Sequence, residues 1–219
     1  MKVSALNGII SAMERKVRQL PADVKFIYQK DQRFQSLVDF GIGKELSSSG
    51  YCWAACLDMA LSPFVPDDSV REGVIANSVQ DQRLGAEAFT ANGELSSEKI
   101  GDLVDIVNEN LVSGNLEARL KLLREQRFND FHLELQKGRA VIFGIQDETG
   151  GHVMVMDRVY QDGGKYIYAT YDPAIEDPIR ARKYFDNFQL YGQHIYSDLK
   201  IVPFIISVGL PDETHSSGV

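Results

Sequence analysis

The sequence predicts an α+β fold in which helices come first and antiparallel strands follow. Over the first part of the 219-residue chain, apolar residues recur at helical spacing or form runs that are apolar all round. From residue 139 onward, short apolar runs alternate with turn residues, which is typical of antiparallel strands. Segregation of helices and strands along a chain is the pattern of α+β proteins.

The helical part contains three predicted elements and one loop. Residues 3–20 place apolar side chains at three- and four-residue steps, which predicts an amphipathic helix. The Gly/Ser-rich residues 41–50 predict a loop. Residues 52–61, CWAACLDMAL, are apolar almost all round, with Asp58 as the only charge, and predict a buried central helix. Residues 67–137 are predicted to be mostly helical.

Four apolar runs in the second part predict strands. Gln161–Gly164 forms the predicted turn of a hairpin, and Asp172-Pro173 ends its second strand. Pro203 places its strand at a sheet edge or in a bulge, because proline lacks the N–H that a sheet requires. The predicted strands cover residues 139–145, 152–160, 165–171 and 201–208.

The chain is divided into an N-terminal helix with an extension, one larger domain and a short tail. We place the helix and extension at residues 1–35 and the domain at residues 36–210. Residues 211–219 are polar after Pro211 and are expected to form a flexible tail.

Charge and apolar patterning narrow the classes of partner and compartment. The net charge of −8 argues against binding to nucleic acid or to an anionic membrane surface. No stretch approaches the roughly 18 apolar residues of a membrane-spanning helix, so no membrane insertion is expected. The N-terminus lacks the apolar core of a signal peptide, which predicts a cytoplasmic protein or one exported without a classical signal.

The two cysteines and the single tryptophan lie within five residues, at the start of the predicted central helix. Cys52 follows the Gly/Ser loop, and the positive end of the helix dipole favours its thiolate form. Cys56 lies one turn further along the helix, so it neither follows the flexible loop nor lies at the positive end of the helix dipole. The four-residue spacing disfavours a disulfide, so we expect two free thiols, as in a reducing compartment.

The predicted hairpin brings a histidine towards a carboxylate. Pairing of the strands across Gln161–Gly164 places His152 opposite or diagonal to Asp172, with an uncertainty of one residue in register. A carboxylate that accepts from one ring nitrogen fixes the tautomer and supports the imidazolium. Cys52, His152 and Asp172 are therefore candidate members of a catalytic triad.

These residues resemble the motifs of papain-like cysteine peptidases. Cys52-Trp53-Ala54 with its apolar helix resembles the nucleophile segment, and residues 151–155 resemble the Gly-His-apolar strand. Residues 171–174 and the helix-Gly-strand unit at 133–144 resemble the bacterial branch of this superfamily. That branch includes the leader-cleaving peptidase domains of peptide exporters and effector proteases of bacterial pathogens. The likeness covers about residues 45–175.

The resemblance implies a fold, a reaction and a role for each residue. The fold would be a helical lobe carrying the nucleophile, packed on a mainly antiparallel sheet carrying His and Asp. Cys52 would attack a peptide or isopeptide bond, His152 would move the proton, and Asp172 would orient His152. The resemblance implies an acyl-enzyme intermediate, a protein or peptide substrate, and neither a metal nor an organic cofactor. The oligomeric state stays open.

One position departs from the family pattern. The family usually places a glutamine that donates to the oxyanion six residues before the cysteine, and here Leu46 occupies that position. The nearest upstream glutamine is Gln35, and the hydroxyl groups of residues 47–49 are alternative donors.

Three alternatives to a peptidase follow from the same residues. Gly50-Tyr51-Cys52-Trp53 also resembles the Gly-x-Cys-Trp of transglutaminases, so acyl transfer or deamidation on the same triad is the first. Leu46 motivates the second, an inactive papain-like module that binds a partner in its cleft. In the third, the cysteine, histidine and aspartate are core and turn residues without catalytic roles.

Overall fold

The computed structural model describes residues 24–48, 50–123, 128–146, 151–186 and 200–211. Its helices are α1 (Gln35–Asp39), α2 (Cys52–Leu61), α3 (Asp68–Val79), α4 (Ile100–Ser113), α5 (Phe128–Gln136) and α6 (Pro178–Ala181). Its strands are β1 (Arg119–Leu123), β2 (Ala140–Gln146), β3 (Gly151–Asp162), β4 (Lys165–Tyr171), β5 (Arg182–Asp186) and β6 (Lys200–Gly209). The mixture of helices with an antiparallel sheet confirms the predicted α+β class.

The six strands form one antiparallel sheet in the order β1-β6-β2-β3-β4-β5. Its larger apolar face packs against α2 and α4, through residues such as Ile142, Val155 and Ile206, and α3 packs on these two helices. The opposite face forms a smaller core with α5, which contributes Leu135. The sheet therefore lies between two helical layers, and the larger core lies between the sheet and α2.

Helix α2 is the centre of the molecule, as its composition predicts. All ten residues are buried, including the charged Asp58. The carboxylate of Asp58 accepts hydrogen bonds from Arg71 Nε and from Arg33 Nη1, the latter at 3.0 Å. Two guanidinium groups thus balance the one charge that the helix takes into the core.

The β3–β4 hairpin is confirmed, with a tighter turn than the predicted one. Gly163 and Gly164 have φ values of 54° and 80°, the positive angles that a two-residue type I′ turn requires. Gln161 and Asp162 belong to β3 instead, and Asp162 pairs with Lys165. Because β3 has a register shift between Met156 and Arg158, the pairing towards the open end of the hairpin moves by one residue.

The prediction that residues 67–137 are mostly helical is wrong for β1. Leucines 120, 122 and 123 lie in this strand, which pairs with Ile205–Gly209 of β6. Leucine occurs readily in helices and in buried strands, so only the partner strand, more than 80 residues away, decides between them. The prediction for Pro203 is confirmed, since the pairing of β2 with β6 shifts between Ile205 and Ile201.

Two predicted elements lie wholly or almost wholly outside the described residues. These are the helix over residues 3–20 and nearly all of the tail over 211–219. The described part of the predicted extension packs with the larger domain, because Val24, Ile27 and Phe34 are buried in the main core.

Candidate active site

Cys52 is the first residue of α2, directly after the Gly/Ser loop. Its side chain is 7 % exposed, and its Sγ lies 3.7 Å from the carbonyl oxygen of Gly50. The preceding residue, Tyr51, is fully buried and donates its hydroxyl to the carbonyl oxygen of Ile42. The thiol is thereby held at the positive end of the dipole of the buried helix.

A short turn over residues 90–95 holds the segment around Cys52 in place. The N–H of Gly50 donates to the Asn92 carbonyl at 2.7 Å, and Trp53 Nε1 donates to the Gly93 carbonyl at 3.0 Å. Gly93 has a φ of 78°, and a Cβ atom there would lie 2.6 Å from Cε1 of Tyr51. Glycine at this position therefore lets the turn approach the helix closely.

The imidazole of His152 and the carboxylate of Asp172 are in direct contact. His152 is near the start of β3, and its Nε2 lies 2.8 Å from Asp172 Oδ1. Asp172 follows β4 directly, and the same Oδ1 accepts the N–H of Ala174 at 3.0 Å. The main-chain N–H of Asp172 donates to the Ala181 carbonyl at 3.0 Å, which holds the turn in place.

The electrostatics of this contact favour a charged pair. Burial lowers the pKa of His152, but the hydrogen bonds with Asp172 and Cys52 and the charges of both residues outweigh it and raise the pKa to about 9. Burial raises the pKa of Asp172, but the hydrogen bond and the charge of His152 bring it below its usual value. The thiol, the imidazole and the carboxylate thus act on one another in sequence, as nucleophilic catalysis requires.

Cys56 lies one turn along α2 and differs from Cys52 in its surroundings. Its Sγ contacts the Val153 carbonyl oxygen at 3.3 Å, and the residue is fully buried. Burial, together with the charges of Cys52 and Asp172, raises the pKa of the Cys56 thiol well above its usual value. Both cysteines are free, as predicted, and Cys56 is a protonated core residue.

A cavity of about 210 Å³ opens beside the thiol and the imidazole. Cys52, His152 and Trp53 lie on its wall. Its other lining residues are Gly50, Leu57, Thr90, Glu94, Leu95, Ser97, Ile100, Leu103, Leu120, Ile142, Gly151, Val153 and Ile206. The structure thus provides space for a substrate next to the two candidate catalytic groups.

No side chain that could donate to the oxyanion stands at the position where papain-like peptidases usually have a glutamine. Leu46 packs against the main core. Ser47 is exposed, only the backbone of Ser48 is described, and Ser49 lies outside the described residues. Gln35 is on α1, where its amide nitrogen donates to Asp39 at 3.1 Å.

A different glutamine, Gln29, lies at the turn that carries Asp172. Its main-chain N–H donates to the Pro173 carbonyl at 3.0 Å. Its Oε1 is buried and has no hydrogen-bond partner within the described part of the chain. The sequence contains no signal for this placement, because Gln29 precedes Cys52 by 23 residues and belongs to no motif.

The described residues contain neither a membrane-spanning helix nor a metal-binding cluster. No helix among them is long and apolar enough to cross a membrane. No group of three or more His, Cys, Asp or Glu side chains in the described ranges is placed to hold a metal ion.

Comparisons with known proteins add no relatives. The chain matches no protein-family model, and a search of curated proteins also finds no match. The geometry of the site and the short motifs around Cys52, His152 and Asp172 therefore carry the functional proposal.

Proposed function

We propose that the protein is a cysteine peptidase, or a closely related thiol hydrolase, with Cys52, His152 and Asp172 as its triad. The observation that carries the proposal is the 2.8 Å contact between His152 and Asp172 beside a cavity that Cys52 also lines. Cys52 is held at a helix N-terminus, and His152 has a pKa raised to about 9. Together these features favour a thiolate–imidazolium pair at neutral pH.

The topology supports a papain-like fold within this proposal. One helix begins with the nucleophile and packs against the antiparallel sheet. Strand β3 of that sheet supplies the histidine, and the turn directly after the adjacent strand β4 supplies the aspartate. This is the arrangement that the resemblance to papain-like peptidases implies.

The proposed reaction has two steps. The Cys52 thiolate attacks the carbonyl carbon, the S–C bond forms, and His152 gives its proton to the departing amine as the C–N bond breaks. A water molecule then gives a proton to His152 and attacks the thioester, which releases the acid and restores the Cys52 thiolate. Asp172 keeps the imidazole oriented throughout by accepting from Nε2.

The oxyanion of the tetrahedral intermediate requires hydrogen-bond donors. The main-chain N–H of Cys52 is one donor at the helix N-terminus. We propose the Nε2 amide group of Gln29 as the second donor, because the main-chain bond to the Pro173 carbonyl holds Gln29 beside the turn that carries Asp172. In this proposal Gln29 supplies the donor that Leu46 cannot.

The pH dependence of iodoacetamide alkylation tests the proposal. Mass spectrometry locates the label, and Cys56 serves as an internal control because it is buried on the same helix. We expect selective labelling of Cys52 with a midpoint below the value of about 8.5 for an ordinary thiol. In His152→Ala the midpoint rises, since the imidazolium no longer stabilises the thiolate. Slow labelling of both cysteines, unchanged in His152→Ala, would contradict the triad and favour an inactive binding module.

Product analysis separates hydrolysis from acyl transfer. Both reactions pass through a thioester on Cys52, and they differ only in whether water or an amine attacks it. A glutamine-containing peptide incubated with a primary amine would yield the amine conjugate in a transglutaminase-like enzyme. A peptidase would instead yield two shorter peptides.

A further inference from the structure

The cavity beside Cys52 extends far beyond the reacting groups. Leu57 lies five residues along α2 from Cys52, about 7.5 Å deeper at 1.5 Å per residue. On the sheet side, the wall of the cavity is formed by Val153 of β3, Ile142 of β2, Ile206 of β6 and Leu120 of β1. These four strands are consecutive neighbours, so the backbones at the two ends lie three strand spacings apart, about 14 Å.

The four sheet residues face the same side. Ile142 pairs with Val155 and with Ile206, and Val153 is two residues from Val155. Leu120 is two residues from Leu122, which also pairs with Ile206. Because side chains alternate across a strand, all four point towards the layer that contains α2 and α4. The cavity is therefore elongated between the sheet and this layer.

Polarity changes along the cavity. Near the mouth are the exposed Thr90, Ser97 and Gly151 and the half-buried Glu94. Deeper in, the wall is formed by buried aliphatic side chains, with no charged or hydrogen-bonding side chain among them: Leu57, Ile100, Leu103, Leu120, Ile142 and Ile206. A polar group placed there would lose its hydrogen bonds to water without replacement, so the deep part selects an apolar occupant.

The size of the cavity is sufficient for binding without any rearrangement. Its 210 Å³ exceed the roughly 150 Å³ of an engineered apolar cavity that stays dry and binds benzene. Spread over the width of several strands, this volume describes a narrow channel. A narrow apolar channel suits a linear hydrocarbon chain better than a compact branched or aromatic side chain.

We propose, on the basis of the thiol hydrolase function above, that the acyl donor of this enzyme carries a linear hydrocarbon chain. The chain occupies the channel, and its carbonyl lies at the mouth beside the Cys52 thiol. The thiolate forms an S–C bond with the fatty-acyl carbon, and the bond to the amine or thiol leaving group breaks as His152 supplies its proton. Water then releases the fatty acid from Cys52. Acyl amides and acyl thioesters both carry such a hydrocarbon chain, so either class of substrate would fill the channel in the same way.

Chain-length dependence is the first test. Fatty-acyl 4-nitroanilides and N-acetylcysteamine thioesters of 2, 4, 6, 8, 10 and 12 carbons are hydrolysed by the full-length protein, with Cys52→Ala as the blank. We expect kcat/KM to rise by about fourfold per methylene until the channel is full, since each buried CH₂ contributes about that factor. The two substrate series distinguish an amide from a thioester as the natural bond. Turnover that does not depend on chain length would overturn the proposal and leave the thiol hydrolase function standing.

Substitutions in the channel should shift the preferred chain length of the substrate in opposite directions. Leu103 on α4 lines the channel, so Leu103→Phe should move the optimum to shorter chains and Leu103→Ala to longer ones. Leu111→Phe is the matched control, because Leu111 is an equally buried leucine of α4 that does not line the channel. An optimum that stays the same in both Leu103 variants, with folding intact by circular dichroism, would contradict the proposal.

A binding experiment separates the channel from catalysis. Trp53 is the only tryptophan and lies on the cavity wall, so its fluorescence reports entry of a ligand. In Cys52→Ala we expect decanamide to change the emission with saturation and butanamide to have little effect. Binding of decanamide by a wild-type protein that hydrolyses none of the substrates would support the channel and reject the hydrolase. Failure of decanamide to bind would reject the channel.

Discussion

At the scale of single residues, His152 links the site to the stability of the fold. Its pKa is raised from 6.5 to about 9 against the effect of burial, through its hydrogen bonds and charge interactions with Asp172 and Cys52. The folded state therefore binds the proton more tightly than the unfolded chain. The resulting stabilisation is complete below about pH 6.5 and is lost as the pH rises through about 9.

Denaturant unfolding of wild type and His152→Gln should show this dependence. We expect the difference in free energy of unfolding between the two proteins to be largest below about pH 6.5 and to shrink as the pH approaches and passes about 9. The glutamine variant keeps a hydrogen-bonding side chain but does not titrate. A difference that is constant over this range would show that the imidazolium makes no net contribution to stability.

Gln29 permits a second test at the residue scale. As an oxyanion donor it stabilises the transition state, so Gln29→Ala should lower kcat by about 10²–10³ and leave KM almost unchanged. Gln35→Ala is the matched control, because Gln35 is a half-buried glutamine that donates to Asp39 within α1. Equal activity of the two variants would remove Gln29 from the mechanism.

At the scale of elements, α2 carries the proposed nucleophile and also a fully buried carboxylate. Asp58 is fully buried, and Arg71 beside it is 1 % exposed. Arg33 completes the network from the segment before α1. Helix α2 is therefore tied through charged groups to α3 as well as packed on the sheet.

Removal of the Asp58 charge should be costly. Asp58→Asn removes the fully buried anion that faces Arg71 and leaves this guanidinium paired with Asp68, whose side chain is 38 % exposed. We expect the free energy of unfolding to fall by about 3–5 kcal/mol. Glu72→Gln is the control, since Glu72 lies 3.7 Å from Arg33 with a side chain that is 40 % exposed. For Glu72→Gln we expect the free energy of unfolding to change by less than about 1 kcal/mol. Similar losses for the two variants in denaturant titrations would show that burial of this pair is unimportant.

At the scale of the whole molecule, the candidate site lies where two layers meet. Cys52 comes from the helical layer, whereas His152 comes from β3 of the sheet and Asp172 from the turn directly after the adjacent β4. The cavity continues between the same layers. Packing of α2 on the sheet thus sets both the distance between thiol and imidazole and the width of the channel.

Local patterns made much of this arrangement predictable. The bounds of α2 and β4 agree with the predicted 52–61 and 165–171, because an all-apolar run and a Gly-Gly turn are strong local signals. The contact between His152 and Asp172 also follows from local pairing across one hairpin. By contrast, β1 was not predicted, because its strand character depends on pairing with the distant β6.

By itself, the sequence determined the α+β class, the buried helix that begins with Cys52 and the hairpin that joins His152 to Asp172. Each of these depends on residues close together in the chain, where backbone geometry leaves few arrangements. Only the tertiary structure decided that Cys52 and His152 line one cavity, that Gln29 lies beside the Asp172 turn, and that an apolar channel crosses four strands. These features depend on packing between segments that are up to 144 residues apart in the chain, which no local pattern specifies.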